Sequence, residues 1–248
     1  MATQNKSGLL VSLFLITVGI VLLPFISSCG KGANANPSGL NTQLQILNLS
    51  PDVGPLNLYL NFIKESTAIY SYPTNSGYFF ISTLRPPMEM RTSANAPVRV
   101  LIIDSALKAN AKYTLFITGY RNDKDTSINN SILSLDTVTL PAIGRGKVRF
   151  INASPGSPSL DLRANDTVAF NTVAFNKLTS YIQLPVGNYN FTINAHATPG
   201  KIEYTLPNVT IQDGRAYTIY TQGLVGRSDS VAFGVNVLTN NLLEKITQ

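Results

Sequence analysis

At 248 residues the chain is long enough for two folded units of ordinary size. With 44% hydrophobic and only 13% charged residues it is too apolar to be a disordered chain, and its formal charge of +6 is modest. A single Cys, a single His and no Trp exclude a disulfide framework and a Cys/His zinc cage. They also leave little material for nucleophile-and-base chemistry, so the expectation is a folded protein that is not an enzyme and carries no cofactor or metal.

The first segment, MATQNKSG, has Lys6 as its only charge and runs into an apolar stretch from Leu9 to Ile26, which is a signal-peptide profile. The stretch ends in Ile26-Ser27-Ser28-Cys29, which resembles the bacterial lipobox, and places lipidation on Cys29 after removal of residues 1–28. The alternative is an uncleaved transmembrane anchor, because this stretch is nearly long enough to cross a bilayer. Either way, everything downstream is exported. Acyl chains on Cys29 would tether the protein to a membrane, and Gly30 rather than Asp after the lipidated residue points, by resemblance to Gram-negative lipoproteins, to the outer membrane. Residues 29–41, rich in Gly, Asn and Ser, read as a flexible tether. Whether the protein faces the periplasm or the cell surface is left open by this sequence.

Beyond the tether the chain repeats. LQILNLSPDVGPLNLYLN from Leu44 matches VRFINASPGSPSLDLRAN from Val148 at an offset of 104, and AKYTLFITG from Ala111 matches RAYTIYTQG from Arg215 in the same register. Two separated matches in one register indicate duplication of a whole domain, with copies at 42–141 and 146–240 and the hinge PAIGRGK between them. Each copy alternates apolar and polar residues, as in Leu56, Leu58, Leu60 and Leu160, Leu162, Ala164, so each should form strands with one packed and one wet face. Outside the leader only the terminal LLEKITQ suggests helix. The doubled pentad TVAFN, Thr167 to Asn176, has an odd period that flips side chains between faces, and requires a turn or bulge. The fold expected is all-β: two tandem Ig-like or transthyretin-like antiparallel β-sandwich domains after a lipoprotein signal peptide.

INASPGSPSLDLRANDTVAF, TSYIQLPVGNYNFTI and NVTIQDGRAYTIYTQG together resemble the bacterial envelope family known as domain of unknown function 4397. Ser154, Pro155, Asp161, Tyr181, Leu184, Pro185, Gly187 and Tyr189 carry the match. The first copy departs from it, since Asn57 replaces the Asp and STLRPPMEMRT stands where LPVGNYNFT stands, although Ser76, Gly77 and Tyr78 are similar to Thr179, Ser180 and Tyr181. The resemblance implies a fold and an envelope context and lends no activity. Read physically, Ser-Pro bends the chain after a strand and Asn165-Asp166 suits a turn. Asp161, flanked by core leucines, reads as a solvated or turn-capping carboxylate with no base tied to it.

Motifs for chemistry are weak. SALK, Ser105 to Lys108, matches Ser-x-x-Lys but follows a strand-like run without companion motifs, and Asp123, Asp125 and Ser127 are half a calcium loop without its Gly and Glu. His196 reads as an exposed loop residue, and GRGK lacks the first Gly and the trailing hydroxyl residue of a phosphate loop. Arg145, Lys147 and Arg149 share a face, read as a solvated, charge-protected strand edge, with an anionic partner as the alternative. Nucleic acid is not an expected partner.

Two surface features remain. Tyr70, Tyr72, Tyr78, Phe79 and Phe80 crowd around a turn, and alternation must expose some of them, so Tyr70, Tyr72 and Phe79 are candidate ligand or partner contacts. Asp-Ser/Thr-apolar triplets at Ser105, Thr137, Thr167 and Ser230 resemble the acceptor pattern of a bacterial O-glycosylation system. The function expected is a lipid-anchored, non-catalytic binding or structural module of the cell envelope. Glycan capture for an outer-membrane uptake system is the alternative, a hydrolase the third, and a glycan or an envelope protein the expected partner.

Overall fold

The period-two pattern becomes strands throughout a computed structural model that describes residues 39–122, 124, 127–128, 130–136, 139–198 and 203–241. Cys29, Asp123, Asp125, Thr137 and LLEKITQ lie outside the described residues. Eight strands fill the first half: β1 (Asn41–Asn48), β2 (Leu56–Leu60), β3 (Ile63–Lys64), β4 (Phe79–Ser82), β5 (Met88–Thr92), β6 (Arg99–Ile103), β7 (Lys112–Ile117) and β8 (Ser131–Leu135). Nine fill the second: β9 (Arg145–Asn152), β10 (Leu160–Ala164), β11 (Thr167–Val173), β12 (Lys177–Leu178), β13 (Ile182–Pro185), β14 (Gly187–Ala195), β15 (Glu203–Ile211), β16 (Ala216–Gln222) and β17 (Gly234–Asn241). No helix occurs among the described residues.

Each half is a two-sheet sandwich. In the first, the sheet β4-β1-β7-β8 packs on β3-β2-β5-β6, and Leu44, Ile46, Leu115 and Ile117 meet Leu56, Leu58, Met88 and Met90 between them. In the second, β12-β9-β16-β17, with β13 also on β9, packs on β11-β10-β14-β15, and Phe150 and Ile219 meet Leu160, Leu162, Phe191 and Ile193. The sheets are not purely antiparallel. The first strand of each half runs parallel to its second-last, with Leu44 opposite Tyr113 and Val148 opposite Tyr217, both pairs carrying the offset of 104 found in the sequence.

The wet faces expected of β1, β7, β9 and β16 are buried. Leu47, Leu49 and Phe116 of the first half pack against Ile151, Ala153, Tyr220 and Leu238 of the second, so the two sandwiches join sheet to sheet. Polar residues at the same seam, Gln45, Thr114, Arg149 and Thr218, are buried as well. A single-domain pattern cannot distinguish a solvated polar face from one satisfied across an interface. Arg149 bonds Asp136 near the end where β1, β7 and β9 begin, whereas the Thr118 hydroxyl donates to Asn176 at 2.7 Å near the end where they finish. The halves therefore stand side by side, pointing the same way.

The doubled TVAFN resolves as anticipated. The β10–β11 pairing shifts register twice, and Thr172 takes φ +53°, a left-handed conformation uncommon for a β-branched residue. Asn165 and Asp166, with φ of +45° and +66°, form the hairpin turn between those strands.

Candidate functional sites

The polar seam is the most densely connected site. Arg149 lies on β9, a central strand, which overturns its reading as part of a solvated edge. Its Nη2 donates to Asp136, its Nη1 to the Ser134 hydroxyl at 2.6 Å and its Nε to the Thr218 hydroxyl at 2.8 Å. The guanidinium also lies 4.6 Å from the Tyr181 ring centroid. Asp136 in turn accepts from the hydroxyls of Thr114 and Tyr78, the latter at 2.9 Å. A charge pair taken out of water needs such additional donors, because attraction alone seldom offsets desolvation.

Burial sets the behaviour of the seam tyrosines. It raises Tyr181 from 10.0 to about 12, against the pull of the Arg149 charge, and it raises Tyr70 in the first core to about 12. The native state then holds phenolic protons that the unfolded chain releases, so stability is intact below pH 10 and falls between pH 10 and pH 12. Thermal melts should show a plateau and then a decline across that window. Phenolate absorbance from these residues should appear only with unfolding, and ordinary titration in a still-folded protein would contradict the burial argument.

A second cluster joins Asp161, His196 and Thr172. His196 Nδ1 is 2.9 Å from Asp161 Oδ1, which also accepts the Thr172 N–H at 2.7 Å. His196 is an exposed loop residue, as read from the sequence, but the base that the sequence did not tie to Asp161 is tied to it. The Thr172 hydroxyl lies 3.4 Å from Nδ1 and 3.3 Å from Nε2. Near-equal distances place it across the ring edge, whereas a nucleophile relay needs it on Nε2 with the carboxylate on the opposite nitrogen. The cluster holds the β-bulge: Asp161 caps it, as read from sequence. Its counterpart Asn57 does the corresponding task with reversed polarity, donating to the Ala68 carbonyl at 2.7 Å.

Ser-Pro acts as a strand-end tie. The Ser154 hydroxyl donates to the Gly223 carbonyl at 2.7 Å and the Ser50 hydroxyl to the Gly119 carbonyl at 2.5 Å. Asn48 and Asn152, which the sequence reading passed over, are fully buried and accept the N–H groups of Ser50 and Ser154. Their signal was the shared Asn-x-Ser-Pro in both copies.

Of the aromatic candidates, Tyr70 is 5% exposed, too buried to present a face to a ligand, and it stacks at 6.2 Å on Phe79, which is half-buried. Alternation holds, but with the opposite sign: Phe79 turns inward and Phe80 outward, at 48% exposure. Tyr72 is half-buried with an unpartnered hydroxyl. Burial raises its pKa, and the Asp229 charge in the second half adds to the rise. Ser105, Thr167 and Ser230 are all exposed. An open cavity of about 330 Å³ lies between the β10–β11 hairpin and β13, lined by Val168, Ala169, Ile182, Leu184 and Tyr189. Among the described residues no group of three or more His, Cys, Asp or Glu is placed to hold a metal ion.

No curated protein matches the chain significantly. Among solved structures, a candidate cell adhesion protein from Bacteroides eggerthii is similar at 10% identity and a TM-score of 0.23, covering 84% of this chain and 97% of that one. A score that low carries no argument about architecture or role. The family model described as Domain of unknown function (DUF4397) matches residues 146–244, which take in nearly all of the second sandwich, so this segment is similar to that family.

Proposed function

We propose that the chain is a lipid-anchored protein of the Gram-negative outer membrane whose paired sandwiches form a rigid, non-catalytic binding or structural module. The observation that carries this reading is the sequence Ile26-Ser27-Ser28-Cys29 at the end of an apolar leader, followed after a short tether by a chain whose described residues form strands and no helix. The sheet-to-sheet seam supports rigidity, because interfaces this apolar and this hydrogen-bonded do not hinge freely. A glycan-capturing role is the second reading, favoured by the open cavity beside Tyr189.

The test is fractionation of cells expressing the full chain with an epitope at Gln248. Wild type should sediment with the outer membrane and incorporate labelled fatty acid, whereas Cys29→Ala should take up no label and leave the outer-membrane fraction, because the acyl chains on Cys29 are what hold the mature chain there. Protease added to intact cells then separates a surface-facing module, which is shaved, from a periplasmic one, which is not. Equal fatty-acid labelling and equal outer-membrane retention of wild type and Cys29→Ala would sink the lipidated reading.

A further inference from the structure

The tether enters at the end of the molecule where β1 and β9 begin, and the exposed apolar side chains gather there. The Leu40 carbonyl, one residue before β1, accepts the N–H and the hydroxyl of Thr83, at 2.9 and 2.8 Å. Leu84 is therefore beside the entry point. Asn61 donates to the Pro87 carbonyl at 2.9 Å, which brings the β2–β3 turn to the same end. In the second half the 139–144 loop is held there by Asp213, which accepts the Gly144 N–H at 2.8 Å, and by the Val186 N–H on the Gly144 carbonyl.

Single exposed apolar residues are ordinary. Here the five most exposed large apolar side chains described are Ile143 at 97%, Leu140 at 70%, Leu84 and Ile63 at 59% and Phe62 at 58%, and all five lie at this end. Phe62 sits in a left-handed turn conformation, φ +66°, where its counterpart in the second half is Asp166 with the same φ. A bulky side chain in that conformation is held against a steric preference that Asp tolerates, which points to selection for what the ring does in solvent. Lys64, Lys108 and Arg145 are exposed around the same rim.

We propose that this end is a seat on the phospholipid surface. Phe62, Leu84, Leu140 and Ile143 enter the boundary between headgroups and acyl chains, and the three basic residues meet lipid phosphates. The proposal rests on lipid anchoring at Cys29. Ten residues separate Cys29 from Leu40, a reach of roughly 40 Å when fully extended, so the anchor holds the chain's entry point, and this rim with it, closer to the bilayer on average than the far end. Seated in this way, the strands stand along the membrane normal and the Ser-Pro ends of both sandwiches point away.

The chain contains no Trp, so single replacements report position without background. Full-length acylated protein carrying Ile143→Trp, Phe62→Trp or, at the opposite end, Tyr120→Trp is reconstituted into phosphatidylethanolamine and phosphatidylglycerol vesicles with brominated acyl chains. Ile143→Trp and Phe62→Trp should be quenched about twofold or more, as shallow insertion of roughly 5–10 Å requires, with Tyr120→Trp unchanged. If the protein floats with the vesicles but all three probes stay bright, the seat is wrong while the anchor stands. Intact mass without acyl chains means the anchoring reading has failed. The seat then survives only if unacylated Ile143→Trp is still quenched on mixing with the same vesicles, and is overturned otherwise. A blue shift of Ile143→Trp in envelope extract without quenching in vesicles overturns it in favour of a protein partner.

Discussion

Replacing Arg149 with Met should lower the melting temperature by on the order of 10 °C. The side chains of Arg149 and Asp136 are 3% and 0% exposed, and removing one member of such a pair leaves the other charge buried without compensation, a loss of about 3–5 kcal/mol. In a protein of this size each kcal/mol moves the midpoint by about 2–4 °C. The hydroxyls of Thr114, Tyr78 and Ser134 remain around Asp136, but neutral donors stabilise an anion less than a guanidinium does. The double variant Arg149→Met with Asp136→Leu should recover most of the loss, because apolar side chains of similar volume in a buried seam remove the stranded charge. Arg149→Lys should fall between, since a single ammonium cannot reach Asp136, Ser134 and Thr218 in one fan. A melting temperature for Arg149→Met within a degree of wild type would mean the seam is open to water and the two sandwiches are not locked.

The same residue shows what the sequence could and could not reveal. Alternation identified Leu56, Leu58, Leu160 and Leu162 as core positions, and the constant offset picked out positions that sit alike in the two halves, because both signals are local or repeat in one register. Arg149, by contrast, occupies a strand position whose pattern reads as wet, and only the packing of a second sheet makes it dry. Thr114, Gln45 and Asp136 were invisible for the same reason: a polar residue looks identical whether water or a partner satisfies it. The His196–Asp161 contact was out of reach because its partners are far apart in sequence and meet only through the β10–β14 register, in which Leu160 faces Ala195. The turn at Asn165-Asp166 and the bulge in TVAFN were legible, since dihedral preference and periodicity are properties of a few neighbouring residues.

Gly223→Ala should cost at least about 3 kcal/mol and Gly119→Ala only about 1, although the two glycines close the same repeated motif. Gly223 has φ +70°, and a Cβ there would lie 2.1 Å from the Ala232 carbonyl oxygen and 2.7 Å from that of Val231. Those atoms are backbone, fixed by the Leu224 N–H on the Val231 carbonyl at 2.7 Å and the Phe233 N–H on the Leu224 carbonyl at 3.0 Å, so they cannot give way without opening the corner. The left-handed conformation adds about 1–2 kcal/mol for any L side chain. The Gly223 carbonyl also receives the Ser154 hydroxyl, so a displaced corner loosens the Ser-Pro tie. At Gly119 a Cβ would meet Asn130 Nδ2 at 2.9 Å, on a side chain that can swing, and the Asn130 Cβ and backbone nitrogen at 3.0 and 3.2 Å, which a shift of a few tenths of an ångström relieves. Urea midpoints of the two variants measure the difference directly, and equal losses would mean that glycine serves the repeat itself rather than the particular loop each copy must fit. Unequal losses would place the second copy's requirement in the 224–233 segment, whose backbone comes within 2.1 Å of the added carbon where Asn130 of the first copy comes no closer than 2.9 Å.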